Sequence, residues 1–148
     1  MGKGFVYAIS ISSERGQLKE EVPEANLIAN YGIENDGHAG DWGRQVTCLN
    51  WGSVQKANKE HQLNAGPGDF AENILIDGMD FSGMCAGSRL KLGEGVVLEV
   101  TQVGKDEDPN HPSIVQRTLG VSLLPREGLF CRVIAGGRIR KGDTVTRL

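Results

Sequence analysis

Short apolar runs separated by glycine are the feature that most restricts how this chain can fold. Twenty-one glycines are scattered through 148 residues with no fixed period. Between them lie runs such as Val46–Leu49, Ile74–Ile76 and Val96–Val103. Glycine reaches backbone angles closed to other residues, so it marks turns. The runs between the turns are strand-length and mostly too short for a packed helix. The length suits one domain, residues 1–148, with enough chain to bury a core. The expected fold class is therefore mostly β with minor α, an α+β domain whose many short strands lose their edges by closing, or partly closing, into a barrel.

Along the chain, Phe5, Tyr7, Ile9 and Ile11 alternate with smaller residues, which predicts a first strand with one buried face. Ser13 to Glu21 is polar and reads as an exposed loop, and Pro23 keeps the next stretch out of a sheet centre. Residues 45–49 read as a strand and Ser53 to Gln62 as a helix, capped by Asn50 or Ser53. Ile74–Ile76, Arg89–Leu92, Val96–Val103, Leu129–Ala135, Arg138–Arg140 and Thr144–Thr146 are further strands, and Ser113–Leu119 is a helical turn or two. No βαβ rhythm, internal repeat or linker interrupts this pattern.

A net charge of -3 and the lack of a basic cluster argue against a nucleic-acid partner. No apolar run approaches membrane-spanning length, and the N-terminus carries no secretory pattern. The three cysteines, Cys48, Cys85 and Cys131, are odd in number and widely spaced, so neither a disulfide framework nor a zinc site is expected. A reduced, cytoplasmic protein is the reading that follows.

Four separated polar stretches lie at the ends of expected strands. The first is Gly32-Ile33-Glu34-Asn35-Asp36-Gly37-His38-Ala39-Gly40, where an acid and an imidazole stand two residues apart among three glycines. A carboxylate so placed can orient an imidazole and raise its proton affinity. The others are Arg44, then Asp69 with Glu72 and Asn73, and Pro125-Arg126-Glu127-Gly128. If these ends meet at one barrel mouth, they form a pocket suited to an anionic small molecule, since the guanidinium fork matches phosphate and carboxylate.

The stretches GIENDGHAG, RQVTCLN, PGDFAENILIDGMDF and PREGLFCRVIAGGRIRKGD, in that order, resemble the MOSC domain, the C-terminal module of molybdenum cofactor sulfurases. The likeness is to the short stand-alone bacterial type and runs from about Gly4 to Asp143. It implies a mostly β, barrel-like fold and a role with the molybdenum cofactor, a pterin dithiolene that carries a phosphate and the metal. It also implies roles for single residues. Asp36 and His38 set the loop and move protons. Arg44 and Arg126 meet anionic groups, Asn73 orients the ligand, and Glu72 and Glu127 orient the arginines. Partners of such a protein are a sulfur donor or a molybdoenzyme. Pyridoxal phosphate, used by a separate domain of full-length sulfurases, is not expected on this chain.

Two departures matter. Relatives usually read Gly-Ile-Glu-Gly-Asp-Arg-His-Ala-Gly in the loop, so Gly37 here replaces an arginine. The interval from Asp106 to Leu124, where short relatives carry cysteine, has none; Ser113 and Ser122 stand near the expected places. A serine hydroxyl forms no persulfide and is a poor soft-metal ligand. The expectation is thus a binding module for an anionic pterin, assisting sulfur or metal transfer. The alternatives are a molybdenum-dependent reductase or sulfurtransferase that uses another cysteine such as Cys131, and a non-catalytic interaction protein.

Overall fold

The computed structural model describes residues 2–148. Seven strands close into a barrel in the order β1 (Lys3–Ile11), β11 (Thr144–Arg147), β7 (Arg89–Leu92), β8 (Val96–Val103), β9 (Leu129–Ala135), β5 (Val46–Asn50) and β6 (Ile74–Asp77), which pairs back onto β1. All these pairings are antiparallel except β5 with β6. A short strand β2 (Glu20–Val22) adds to the outer edge of β1. A separate three-stranded sheet, β10 (Gly137–Arg140), β3 (Glu24–Ile28) and β4 (Gly32–Ile33), lies beside the barrel and leads into the glycine loop.

The alternation in β8 shows why the barrel forms. Val96, Leu98 and Val100 point inward while Val97, Glu99 and Thr101 face out, the period of two that a half-buried strand requires. Leu129, Cys131 and Val133 of β9 join the same interior, together with Val46, Cys48, Ile74 and Ile76. The barrel is therefore filled by apolar side chains. A second apolar layer lies outside the β5, β6 and β9 wall. There Leu49, Leu75 and Phe130 pack under α1 (Trp51–His61) and the short helices α2 (Ile114–Leu119) and α3 (Leu124–Glu127). Asn50 caps α1 by accepting from the Gly52 N–H at 2.9 Å, and Ser113 caps α2 by accepting from the Gln116 N–H. No helix among the described residues is long and apolar enough to cross a membrane.

Three expectations need correction. β1 does not bury Phe5, Tyr7, Ile9 and Ile11 on one face. A register shift against β6 between Val6 and Ala8 reverses the faces mid-strand, so Val6 and Ile9 enter the barrel while Phe5 is exposed and Ala8 joins the outer layer. The stretch after Pro23 forms β3, paired with β10 from the far end of the chain. The polar stretch Ser13 to Glu21 is not uniformly exposed, because Lys19 is only 3% exposed.

Asn73 ties three barrel strands together. Its side-chain oxygen accepts from the Thr47 N–H at 3.0 Å and its amide donates to the Ser10 carbonyl at 3.1 Å, in a fully buried setting. Each orphaned buried backbone group costs about 1–3 kcal/mol. Asn73→Ala orphans two of them, so urea denaturation should show a loss on the order of 2–5 kcal/mol.

Candidate functional site

Lys19 sits where the glycine loop meets β1. Its ammonium reaches the Asp36 Oδ1 at 2.8 Å, the His38 Nδ1 at 3.0 Å and the Ser12 Oγ at 3.1 Å. The side chains of Lys19 and Asp36 are both fully buried. Three N–H donors thus meet three acceptors, which is what a buried ammonium needs to remain charged. Asp36 completes its own set by accepting from the backbone N–H groups of Ser12 and His38, each at 3.1 Å.

Asp36 does raise the proton affinity of His38 as expected, but it is outweighed. Its carboxylate does not touch the imidazole; Lys19 stands against the ring nitrogen instead. Burial, then the Lys19 ammonium, push His38 down from 6.5 to about 4, and the smaller pull of Asp36 does not offset them. His38 is therefore a neutral imidazole at ordinary pH. With the ammonium against Nδ1, a neutral ring would carry its proton on Nε2.

His38 opens into a cavity of about 170 Å³ lined also by Trp42, Arg44, Lys105, Ser113 and Ser122. The cavity is not in a barrel mouth. Thr47 and Phe130, paired across β5 and β9, form its wall, and both lie between residues that point into the barrel. The site occupies the outer face of the wall, beneath the segment that carries α2. The reason is packing: the interior is filled, and the free polar space lies where the second layer covers the wall incompletely.

Arg44 extends over the Phe130 ring, with its guanidinium carbon 5.0 Å from the ring centre, and bonds the Gln102 Oε1 at 3.3 Å. The Thr101 hydroxyl bonds the Gly43 carbonyl and fixes the approach to Arg44. Burial, followed by the neighbouring Arg44 charge, pushes Lys105 below its ordinary value. Neither cation is among the ion pairs formed by the described residues, and no carboxylate lines the cavity. The Trp42 ring lies nearly parallel to His38, its Nε1–H donates to the His38 carbonyl at 2.7 Å, and the Arg15 guanidinium stands 4.0 Å above it.

Of the residues singled out in the sequence, His38, Arg44 and Ser122 line this cavity, as does Ser113. Asp36 lies buried behind His38. Glu72 and Asn73 are braces. Glu72 is 1% exposed and touches no arginine; its two oxygens accept from the N–H groups of Gly68 at 2.7 Å and Phe70 at 3.1 Å, while burial raises its carboxyl to about 7. Arg126 and Glu127 face a neighbouring groove of about 400 Å³ beside α1, which shares Ser122 with the cavity. The Pro125–Gly128 turn serves the site through its backbone, because the Pro125 carbonyl accepts from Lys105 and the Gly128 carbonyl from Gly104.

Lys19 and Lys105 escaped the sequence reading. Their only local signals are two glycines at close approaches. A Cβ on Gly68 would lie 2.1 Å from the Lys19 carbonyl oxygen, and one on Gly104 would lie 2.5 Å from that of Pro125. The cysteines lie elsewhere. Cys48 and Cys131 are fully buried in the barrel, where the Cys48 side chain and burial push the Cys131 thiol well above its ordinary value. A role for Cys131 as a reactive thiolate does not fit that position. Cys85 is exposed beside Ser88. No cluster of three or more metal-ligating side chains occurs among the described residues.

A family model described as the MOSC domain matches residues 35–146, a span that holds the glycine loop from Asn35 onward and the Pro125–Gly128 turn. The chain belongs to the MOSC domain family. MOSC domains are associated with the molybdenum cofactor. Solved structures with the same fold include the YuaD protein of Bacillus subtilis, with a TM-score of 0.77 and 16% identity over 97% of this chain and 94% of that one. YiiM from Geobacillus stearothermophilus aligns with a TM-score of 0.71 and 14% identity over 98% of this chain and 75% of that one. A protein of Gibberella moniliformis called a reductase is 32% identical over an alignment of 92 residues that covers 55% of this chain and 15% of that protein. This MOSC chain thus spans well under a fifth of the length of that curated relative.

The depressed His38 has a measurable consequence. The unfolded chain takes up the imidazole proton near 6.5 and the folded protein only near 4, so in that window the unfolded state binds more protons. This contribution to stability is complete above the upper value and is lost as pH falls through the lower one. An NMR titration of His38 should give a midpoint near 4, and His38→Gln should flatten the acid-side fall in stability seen by denaturation.

Proposed function

We propose that this MOSC domain is a binding module that holds the phosphate-bearing pterin of the molybdenum cofactor and leaves sulfur chemistry to a partner. The observation that carries this reading is the cavity itself, with two cations free of carboxylate partners and a neutral imidazole N–H around one small space. Arg44 and Lys105 would meet the phosphate, and the His38 Nε2–H would complete its hydrogen bonds. Leaving two cations unpaired in a partly buried setting is unfavourable without an anion, so the site favours one.

The dimensions agree with partial enclosure. Clefts that engulf a whole drug-sized ligand measure roughly 300–1,000 Å³. The cavity of about 170 Å³ suits the anionic end alone. An adjoining cleft of about 520 Å³, which shares Lys105 and Ser113 with it, offers room for the ring system beside Pro125. When bound, the cofactor supplies a pterin dithiolene with its metal. The chain's own residues bind and orient the phosphate.

The cavity does not fit a sulfur-carrying role, because none of the three cysteines lines it. Ser113 and Ser122 are there instead, and neither forms a persulfide. A partner supplying sulfur or redox chemistry fits this donor set. The match to a small part of a much longer reductase supports the idea of a module that works beside other domains.

Pterin fluorescence during titration of the purified protein tests the proposal. The wild-type protein should bind the phosphorylated pterin saturably. Arg44→Ala should weaken binding by about tenfold or more, since a hydrogen bond to a charged group contributes about 1.5–3 kcal/mol. A folded wild-type protein that shows no saturable binding would overturn it.

A further inference from the structure

We infer that Lys19 is a positioning residue that fixes His38 as a neutral Nε2–H donor, and that with Arg44 and Lys105 this makes the cavity a site for a small oxyanion whose binding does not depend on a charged imidazole. The inference rests on the anion-binding reading but is narrower, since it names the charge state of His38 and the size of the group the cavity accepts. It applies to the inorganic anions sulfate, molybdate and phosphate as well as to an oxyanion carried on a larger ligand.

The argument begins with donors and acceptors. A free imidazole exposes either an acceptor or a donor, depending on its tautomer. Here the Lys19 ammonium occupies Nδ1 at 3.0 Å and is held there by Asp36 at 2.8 Å and Ser12 at 3.1 Å. An ammonium has no lone pair, so Nδ1 must accept and Nε2 must carry the proton. Arg44 and Lys105 are donors only. With His38 locked, its Nε2–H and the two cations around the cavity all donate, no carboxylate lies among them, and the Gln17, Ser113 and Ser122 side chains can donate as well. A ligand with only acceptor oxygens satisfies them all. The volume of about 170 Å³ leaves room for a tetrahedral oxyanion and little more.

A charged imidazole would also attract an anion, so the two cases must be told apart. The charged groups that act on His38 are Lys19, Asp36, Arg15 and Lys105, and Arg44 shares its cavity. Lys19, Arg15 and Lys105 oppose protonation and only Asp36 favours it, in keeping with a donor that stays neutral. Oxyanion affinity should then be independent of His38 protonation across the range where an ordinary histidine titrates.

Two measurements on the full chain test this. The first is the ¹⁵N signature of the His38 ring at about pH 7. The Nε2–H tautomer supports the inference; an Nδ1–H tautomer or an imidazolium overturns it. The second is calorimetry with sodium sulfate, which keeps both charges throughout, and with sodium molybdate. Affinity should change by less than about twofold between about pH 7 and about pH 5.5, whereas an ordinary titrating imidazole would raise it by up to about fourfold over that drop. Such a rise overturns the inference. Lys19→Met should shift the ring signature away from pure Nε2–H and introduce that pH dependence. If this variant does not fold, the wild-type tautomer and pH profile still decide. Inorganic oxyanions that bind while the phosphorylated pterin does not would remove the cofactor reading and keep this one. Pterin binding without any binding of sulfate or molybdate would do the reverse.

Discussion

A buried ion pair between Lys19 and Asp36 is the interaction on which the site's geometry depends. Taking an ammonium and a carboxylate out of water is costly, and it is tolerated only when their hydrogen-bonding capacity is met. Here it is met by groups from three separated segments: the end of β1 at Ser12, the Lys19 strand entry, and the glycine loop at Asp36 and His38. Removing either partner would strand the other charge, so none of these segments can shift alone. A fourth segment joins through Gly68, whose carbonyl accepts from the Lys19 N–H and whose missing side chain allows the contact. The ion pair therefore specifies a local geometry more than it adds net stability.

The same logic explains the two most distinctive sequence stretches. In Gly68-Asp69-Phe70-Ala71-Glu72-Asn73 the polar side chains turn back onto the backbone. Asp69 accepts from Gly66, Glu72 clasps Gly68 and Phe70, and Asn73 bridges β5 to β1. In Pro125–Gly128 the carbonyls hold Gly104 and Lys105. Each stretch places a lysine that lies far from it in sequence. Motif side chains thus serve the site by fixing backbone, and the groups that face the ligand space come from less conspicuous positions.

Much of the fold was legible because it follows local rules. Alternation in β8 and β9, the Asn50 cap and the turn glycines each state their structure within a few residues. What was not legible depends on distant partners. The reversal of faces in β1 is decided by its register with β6, and β3 forms because β10 pairs with it from more than a hundred residues away. Lys19 sits in a polar run that reads as solvated, and only the acceptors brought to it by other segments make its burial tolerable. The position of the site was misjudged for a related reason. Side-chain patterning tells which residues fill the barrel but not where the outer layer fails to cover the wall. That is settled by how α2 and α3 pack on Phe130 and its neighbours.

The distribution of charge completes the argument. The chain carries a net charge of -3, yet the cavity presents cations. Three acids close to the site are already engaged, Asp36 with Lys19, and Glu72 and Asp69 with backbone N–H groups, while Asp106 and Glu107 line the adjoining cleft and not the cavity. A concave, partly dry pocket concentrates the field of the charges left over, so local donors outweigh the overall sign. The serines standing near the family's usual cysteine positions fit the same picture. Ser113 Oγ accepts from the Gln116 N–H at 3.1 Å and so starts α2, the helix that roofs the cavity. A thiol is a weak acceptor and a poor cap by comparison. Here the residue near the expected thiol position helps to build the enclosure, and oxygen and nitrogen groups, not sulfur, line the cavity.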